Sequence, residues 1–279
     1  MAFSDGLSLK KAQFNILGIA IIILVLIAVF GKYIAPHDPY LVDMSNSLRP
    51  PDHEYWLGCD NLGRCILSRI LYGASASIFS AFIIIAVISS VGSAIGIIAA
   101  IKGGTTEKIL MKINVIFQAF PDFILAMAIA GMLGTGLRNG MISLCFVCWT
   151  KYARLSRSLA LEIKDADYLR SAVISGANSI QIMFKHIIPN IISQLFIMAA
   201  LDVSGIILSL AGLSFLGLSA QHPAAEWGMM MSDCRQYLQI APWTVIFPGI
   251  ALFIVVIVFN LFADTFRDLL DAKGTKAKI

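Results

Sequence analysis

The chain has 279 residues, 58% of them hydrophobic and 14% charged, with a formal net charge of +4 and a mean hydropathy of +0.82. Soluble domains carry about a quarter charged residues, and here the apolar residues fall in blocks rather than in amphipathic rhythm, which excludes an ordinary soluble globular class. The small positive balance follows from membrane orientation, as developed below, and requires no nucleic-acid partner.

A helix needs roughly 20 apolar residues to cross a hydrocarbon core about 30 Å thick. Six blocks are expected to do so: residues 14–34, 77–101, 120–137, 140–161, 187–210 and 243–263. The fourth is the weakest, because Trp149, Lys151 and Arg154 crowd its end. No good small-x-small cleavage site follows the first block, so it is expected to be retained rather than removed as a signal peptide.

Lys and Arg set the orientation of such a chain. With a cytoplasmic N-terminus and six crossings, 15 of the 21 basic residues fall on the inner side and 6 on the outer side. Both termini are therefore expected to be cytoplasmic. The expected layout is a cytoplasmic N-terminus (1–13), a first transmembrane helix (14–34), an extracytoplasmic segment (35–75), a five-helix transmembrane domain (76–264) and a cytoplasmic tail (265–279).

In the 35–75 segment three prolines within the first sixteen positions argue against a regular helix. Tyr55, Trp56 and Leu57 together are unusual for a solvated linker, so the segment is expected to pack. The inner segment KGGTTEKILMK reads as a turn and a short basic helix, and Pro121 opens the third crossing at a position where its missing N–H costs little. The largest and most basic inner segment surrounds the loop at 165–190.

That loop ends in SAVISGANSIQIMFKHIIPN, residues 171–190. It reads as a small-residue stretch, a Gly-Ala-Asn break and a basic segment stopped by Pro189. Ser171, Ala172, Ser175, Gly176 and Ala177 allow another surface close to the backbone, and Gly176 permits a tight turn. Lys185 and His186 are expected at the membrane interface, with Pro189 and Asn190 opening the fifth crossing. A docking element and a plain helical hairpin both fit this pattern.

Catalytic and nucleotide motifs are missing from the sequence. No G-x-x-x-x-G-K-[ST] loop, H-E-x-x-H pair or G-x-S-x-G elbow occurs. The chain itself is therefore not expected to hydrolyse ATP, to act as an enzyme or to carry a metal site. Cys145-x-x-Cys148 reads as small apolar fillers within a crossing. For Cys59 and Cys65, on the outer side, a disulfide and two free thiols both remain open. Asp202 near the middle of the fifth crossing costs about 2.5–3.5 kcal/mol on insertion scales. A place on a cation path, a hydrogen bond to a Ser or Asn of a neighbouring helix, and a protonated acid all account for it. His222, Met229, Met230, Met231 and Cys234 make the last outer loop rich in soft or borderline ligands, although such methionines more often simply pack.

The 170–189 stretch resembles the coupling motif of binding-protein-dependent ABC-transporter permeases: Glu-Ala-Ala, three residues, Gly, nine residues, then Ile-x-Leu-Pro. Ala172, Gly176, Ile188 and Pro189 match it, while Arg170 and Ser171 stand where the family prefers Glu and Ala. The resemblance extends through YWLGCDNLGRCILSRILYG (55–73), FQAFPD (117–122), WTKYARLSRS (149–158), LSFLGLSAQHPAAEWG (213–228) and FNLFADTFRDLLD (259–271). It is specific to the peptide/nickel subfamily, second-subunit type, with Cys65 and Ser75 as departures.

The resemblance implies an all-α polytopic membrane protein with six transmembrane helices and a type I ABC importer permease fold. It further implies a heterodimer with a homologous permease, two ABC ATPase subunits that bind ATP and Mg, and an extracytoplasmic solute-binding protein. Arg170, Ser171, Ala172, Gly176, His186 and Pro189 would form the ATPase-coupling segment. Short matches at 175–177, 201–202, 211–215, 225–228 and 235–237 lean toward nickel or a nickel chelate as cargo. Dipeptide or oligopeptide import is the alternative within the family, and a secondary transporter or channel subunit the alternative outside it.

Overall fold

The computed structural model describes residues 2–164, 175–176 and 178–276. Among them the regular structure is helical: α1 (Ala2–Ile34), α2 (Ile66–Lys102), α3 (Gly104–Gln118), α4 (Asp122–Leu133), α5 (Leu137–Lys164), α6 (Ser179–Ile182), α7 (Ile188–Phe215), α8 (Trp227–Cys234) and α9 (Trp243–Lys276). The chain divides into two compact units. One comprises Met1–Phe82, Ala130–Met141 and Ala200–Ile279, the other Ile83–Ile129 and Ile142–Ala199.

Four helical stretches are long and apolar enough to cross a membrane: Lys10–Ile34, Ile66–Lys102, Ile180–Phe215 and Trp243–Leu269. The expected third crossing, 120–137, is instead short: α4 fills only Asp122–Leu133 of it. α3 and α4 meet at 89° across the short break that holds Pro121, and the pair makes a fifth crossing only if counted together. Twelve residues of α4 reach about 18 Å at 1.5 Å each, too short to cross alone. The expected fourth crossing is the 28-residue α5, which is too polar to pass, with Arg138, Lys151, Arg154, Arg157, Glu162 and Lys164 along it. α2 also begins earlier than expected, at Ile66, and its 37 residues span about 55 Å.

In the first unit, α1 buries only Ala28 and Gly31 among its described side chains. Ile16, Ile19, Ile22 and Ile23 are each more than half exposed, an apolar face suited to lipid. A Cβ on Gly31 would stand 2.2 Å from the Leu71 carbonyl oxygen, so glycine lets α1 meet α2 backbone to backbone. Near the other end of α1, Phe14 stacks on Phe262 and Phe266 of α9 at 5.0 and 6.0 Å, and Lys10 pairs with Asp268 at 2.7 Å.

In the second unit, the C-terminal part of α2 packs on α5 through Gly92 and Gly96. A Cβ at Gly92 would lie 2.4 Å from the Trp149 carbonyl oxygen, and one at Gly96 2.1 Å from that of Ala153. This is the small-xxx-small spacing by which membrane helices approach closely. Ser156 Oγ donates to the Ser93 carbonyl at 3.2 Å across the same seam. α3 docks on α5 through the buried Asn114, whose Nδ2 donates to the Thr150 carbonyl at 2.7 Å, and through Phe117 against Phe146 and Trp149.

A Gly96→Val variant must push two helix backbones apart, so it should lose stability at or beyond the upper end of the roughly 1–3 kcal/mol typical of overpacking. Gly131, within α4, has open space where a Cβ would go, so Gly131→Ala should be neutral or stabilising by up to about 1 kcal/mol. Thermal unfolding of the detergent-solubilised variants measures both.

Candidate functional site

The expected coupling segment lies in the second unit. Arg170, Ser171 and Ala172 fall outside the described residues, as does Ala177. Gly176 is exposed, with a φ of +86° and nothing within 4 Å of a would-be Cβ. Any L side chain there is strained by the backbone, not by crowding. Asn178 and Gln181 then bond reciprocally: Asn178 N–H donates to Gln181 Oε1 at 3.0 Å, and Gln181 N–H to Asn178 Oδ1 at 2.9 Å. This is a capping box built with amides, and it starts α6.

Pro189 does not stop the helix. Residues Met183–Ile187 form a single wide π-type turn, and the helix continues directly from Ile188 as α7. The physical reason lies in the proline itself. Pro189 has no N–H to offer the carbonyl four residues back, and its ring crowds that carbonyl. A wide turn is a common way to relieve this without breaking the helix. Asn190 Nδ2 donates to the His186 carbonyl at 2.6 Å. Lys185 is exposed and His186 half-buried on the turn, and Pro189 is exposed. Met183, Phe184, Ile188 and Ile192 border a groove of about 430 Å³, whose far wall is Ser90 and Ser93 of α2.

Beside this segment α3 is fixed by charge. Arg157 Nε donates to Glu107 Oε1 at 2.7 Å, and a second guanidinium nitrogen bonds the same oxygen. The turn before α3 has positive φ at Gly103 (61°) and Gly104 (56°), as expected of the turn and short basic helix predicted there.

A second constellation, not foreseen from the sequence, occupies the first unit. Asp60, Arg64, Arg69 and Glu226 are each no more than 4% exposed. Asp60 Oδ1 accepts the N–H groups of Leu62 and Arg64 at 2.9 and 3.0 Å. Its Oδ2 accepts Arg64 Nε at 2.7 Å and stands 3.5 Å from Arg69 Nε. Arg69 also donates to the carbonyls of Pro39 at 3.0 Å and Ala224 at 3.2 Å. Arg64 reaches Asp233 at 3.9 Å, and Asp233 pairs with the half-exposed His222 at 2.8 Å. Burial raises the Asp233 carboxyl, opposed first by His222 and then by the two arginines.

Glu226 caps α8 by accepting Met229 N–H at 2.9 Å and accepts Ser77 Oγ at 3.3 Å. Burial pushes its carboxyl up against the pull of these bonds. The hub ties the 35–65 segment to the start of α2 and to the loop before α8. Its sequence signal was two arginines, Arg64 and Arg69, close together in the segment expected to pack.

Other expectations fare differently. Tyr55 packs, stacked on His37 at 4.7 Å and under the Arg49 guanidinium at 4.9 Å, but Trp56 is 72% exposed. Met229, Met230 and Cys234 are buried, so they fill the core of the unit instead of facing a mouth. Among the described residues no group of three or more His, Cys, Asp or Glu could hold a metal ion. Asp202 sits half-buried at the middle of α7. Two residues on, Ser204 Oγ bonds Asn260 Oδ1 of α9.

Long apolar helices that meet at glycines, one of them continuing through a wide turn from a capped loop helix, define a multi-pass membrane protein. The chain belongs to the family of binding-protein-dependent transport system inner membrane components, whose model matches residues 92–276. Residues 9–51 match the N-terminal transmembrane domain of oligopeptide transport permease C. It is 38% identical to the nickel transport system permease protein NikC of Escherichia coli K12, over 91% of each chain. It is also 38% identical to the dipeptide transport system permease protein DppC of Alkalihalophilus pseudofirmus, over 95% of this chain and 88% of that one. The glutathione transport system permease protein GsiD of Pectobacterium atrosepticum is 36% identical over 92% of this chain and 85% of its own. In fold, it is similar to the MetNI methionine ABC transporter in inward-facing form, with a TM-score of 0.58 at 18% identity, over 72% of this chain and 95% of that one. The chain is thus an inner-membrane permease subunit of an ABC importer.

Asp60→Asn keeps the shape of the hub but leaves Arg64 and Arg69 short of a counter-charge, and should cost about 3–5 kcal/mol in unfolding free energy. Glu226→Gln keeps an acceptor for Met229 N–H. A carboxyl raised by burial contributes stability below its unfolded pKa and loses it as pH rises through the folded value. The wild type should therefore lose thermal stability relative to Glu226→Gln as pH climbs above the ordinary carboxylate range, read by melts over a rising pH series.

Proposed function

We propose that this permease imports nickel or a nickel chelate, as one half of a heterodimer with a homologous permease. The observation that carries the reading is the loop unit Gly176–Pro189: an exposed left-handed glycine, a capped short helix and a wide turn leading unbroken into a membrane-crossing helix. Such a unit can carry a displacement from a docked protein into α7. Two ABC ATPase subunits, which bind ATP and Mg, engage the Arg170–Pro189 segment, and a solute-binding protein delivers cargo on the opposite face. Counting α5 and the bent α3–α4 pair gives six crossings, which leave both termini on one side, and the bias of Lys and Arg makes that side the cytoplasm.

Nucleotide shifts the inward–outward equilibrium only by its differential affinity for the two states. A loose coupling segment would therefore let hydrolysis proceed without transport. Support for nickel comes from the short sequence matches at 175–177, 201–202, 211–215, 225–228 and 235–237 and from the likeness to NikC. The equal identity to DppC favours a second reading, dipeptide import. Asp202, in either case, is proposed to line the path, with a cation route as its sharper role.

Gly176→Ala and Gly176→Trp share the backbone strain of a positive φ, roughly 1–2 kcal/mol, but only Trp adds bulk to the exposed turn. Gly176→Trp should leave ATPase activity of the assembled complex while cutting nickel accumulated per ATP by about tenfold; Gly176→Ala should do much less. Equal effects would assign the loss to strain and not to docking. Uptake of radioactive nickel by cells with and without the chain, with dipeptides as competitors, tests the cargo. Nickel uptake that vanishes with the chain and ignores dipeptides supports the first reading, and a loss confined to dipeptide uptake supports the second.

A further inference from the structure

Residues 58–66 turn back on themselves at the foot of the charge hub. Asp60 N–H donates to the Arg64 carbonyl at 3.0 Å and Ile66 N–H to the Gly58 carbonyl at 3.1 Å. Between these two bonds Cys59 and Cys65 face each other as an isolated antiparallel bridge. They are thus a non-hydrogen-bonded pair, in which Cα atoms stand about 4.5 Å apart and the side chains lean together on one side. That separation lies within the roughly 4.4–6.8 Å over which disulfides close.

The geometry does not depend on the sulfurs. Asp60 holds the turn through Leu62 N–H, Arg64 N–H and the Arg64 guanidinium. Gly63, with a φ of +73°, has the Asp43 carbonyl where a Cβ would be. Both cysteines are free thiols in this structure, 0% and 3% exposed. Burial, then the neighbouring Cys65, pushes the Cys59 thiol up to about 12, so little thiolate forms once the turn has packed.

We propose that Cys59 and Cys65 are a modification site: an intrachain disulfide that closes the 59–65 turn when this segment meets a thiol-oxidising protein outside the cytoplasm. The proposal rests on the orientation given under Proposed function, which puts residues 35–75 outside. One cysteine thiolate attacks the oxidant's disulfide to give a mixed disulfide and release one oxidant thiol. The second cysteine thiolate then displaces the other oxidant sulfur, forming Cys59–Cys65. Two protons leave the cysteines, and their two electrons reduce the oxidant's disulfide to a dithiol. Oxidation occurs before the turn packs, since thiolate is scarce afterwards. The same burial then shields the bond from reductant.

The full-length wild-type protein tests this directly. It is purified from native membranes without reductant, denatured with N-ethylmaleimide to block free thiols, and digested with trypsin. Arg64 lies between the two cysteines, so cleavage there leaves the halves joined only by a disulfide. The expected result is a linked peptide pair that separates on reduction. Maleimide adducts on both Cys59 and Cys65 would overturn the proposal.

A topology control separates the two ways of failing. Trp56, 72% exposed in the same segment, is changed to cysteine (Trp56→Cys) in a Cys59→Ser/Cys65→Ser background and probed on intact cells with a membrane-impermeant maleimide. Labelling together with adducts at Cys59 and Cys65 rejects the disulfide alone. Labelling only after permeabilisation rejects the orientation, and the disulfide with it. A third readout is stability: reductant present during denaturation should lower the thermal midpoint of the wild type and leave Cys59→Ser/Cys65→Ser unchanged. Equal midpoints in the wild type with and without reductant would count against the bond.

Discussion

The first unit is organised around one desolvated guanidinium. Arg69 is 0% exposed, and a buried charge of this kind is tolerated only when it is paired. Its partners come from three distant stretches: the Pro39 carbonyl, the Asp60 carboxylate and the Ala224 carbonyl. Each partner constrains the course of its own segment. The chain after α1 must return to α2, the 58–66 turn must present Asp60 inward, and the loop before α8 must bring its backbone alongside. Gly73, whose Cβ would lie 2.0 Å from the Ala225 carbonyl oxygen, and Trp227, whose indole N–H donates to the Ile70 carbonyl at 3.0 Å, repeat the same seam one turn further along α2.

The second unit is held differently. Its α2–α5 seam has glycines facing carbonyls and a serine bond, with the charged contact Arg157–Glu107 displaced to α3. Close backbone approach fixes the spacing of these helices, because lipid supplies no hydrophobic push between them. The loop unit that enters α7 depends on neither device. It relies on local chemistry: a left-handed glycine, an amide cap and a proline whose missing N–H is absorbed by a wide turn.

Much of this was legible in the sequence, and the reasons are physical. Apolar blocks long enough to cross a membrane report themselves through composition, so α1, α7 and α9 lie where hydropathy put them, while α2 covers its block and starts ahead of it. The turn at Gly103–Gly104 and the break at Gly176 were readable because only glycine enters that backbone region at low cost. Three features escaped. The third apolar block, 120–137, gives no sign on a hydropathy scale that its helix stops at Leu133. Pro189 reads as a terminator unless the π-type turn ahead of it is known. The Arg69 hub joins residues far apart in the chain, and no local pattern announces which carbonyl a buried arginine will find. Gly92 and Gly96 were the missed signal that could have been read, since their spacing of four within an apolar helix is itself a packing motif.

The span of the hub also has a consequence for how the protein is made. Arg69 and Ala224 are 155 residues apart, which a ribosome covers in about 8–30 s at 5–20 residues per second. Through that interval the arginine stays hydrated, because the backbone oxygen that completes its shell does not yet exist. Closure of the hub is therefore a late event in biosynthesis, and it signals that the polypeptide has been built at least as far as the loop before α8. A nascent chain arrested before that point keeps its polar hub open, which gives quality-control proteases a chemical difference between unfinished and finished subunits.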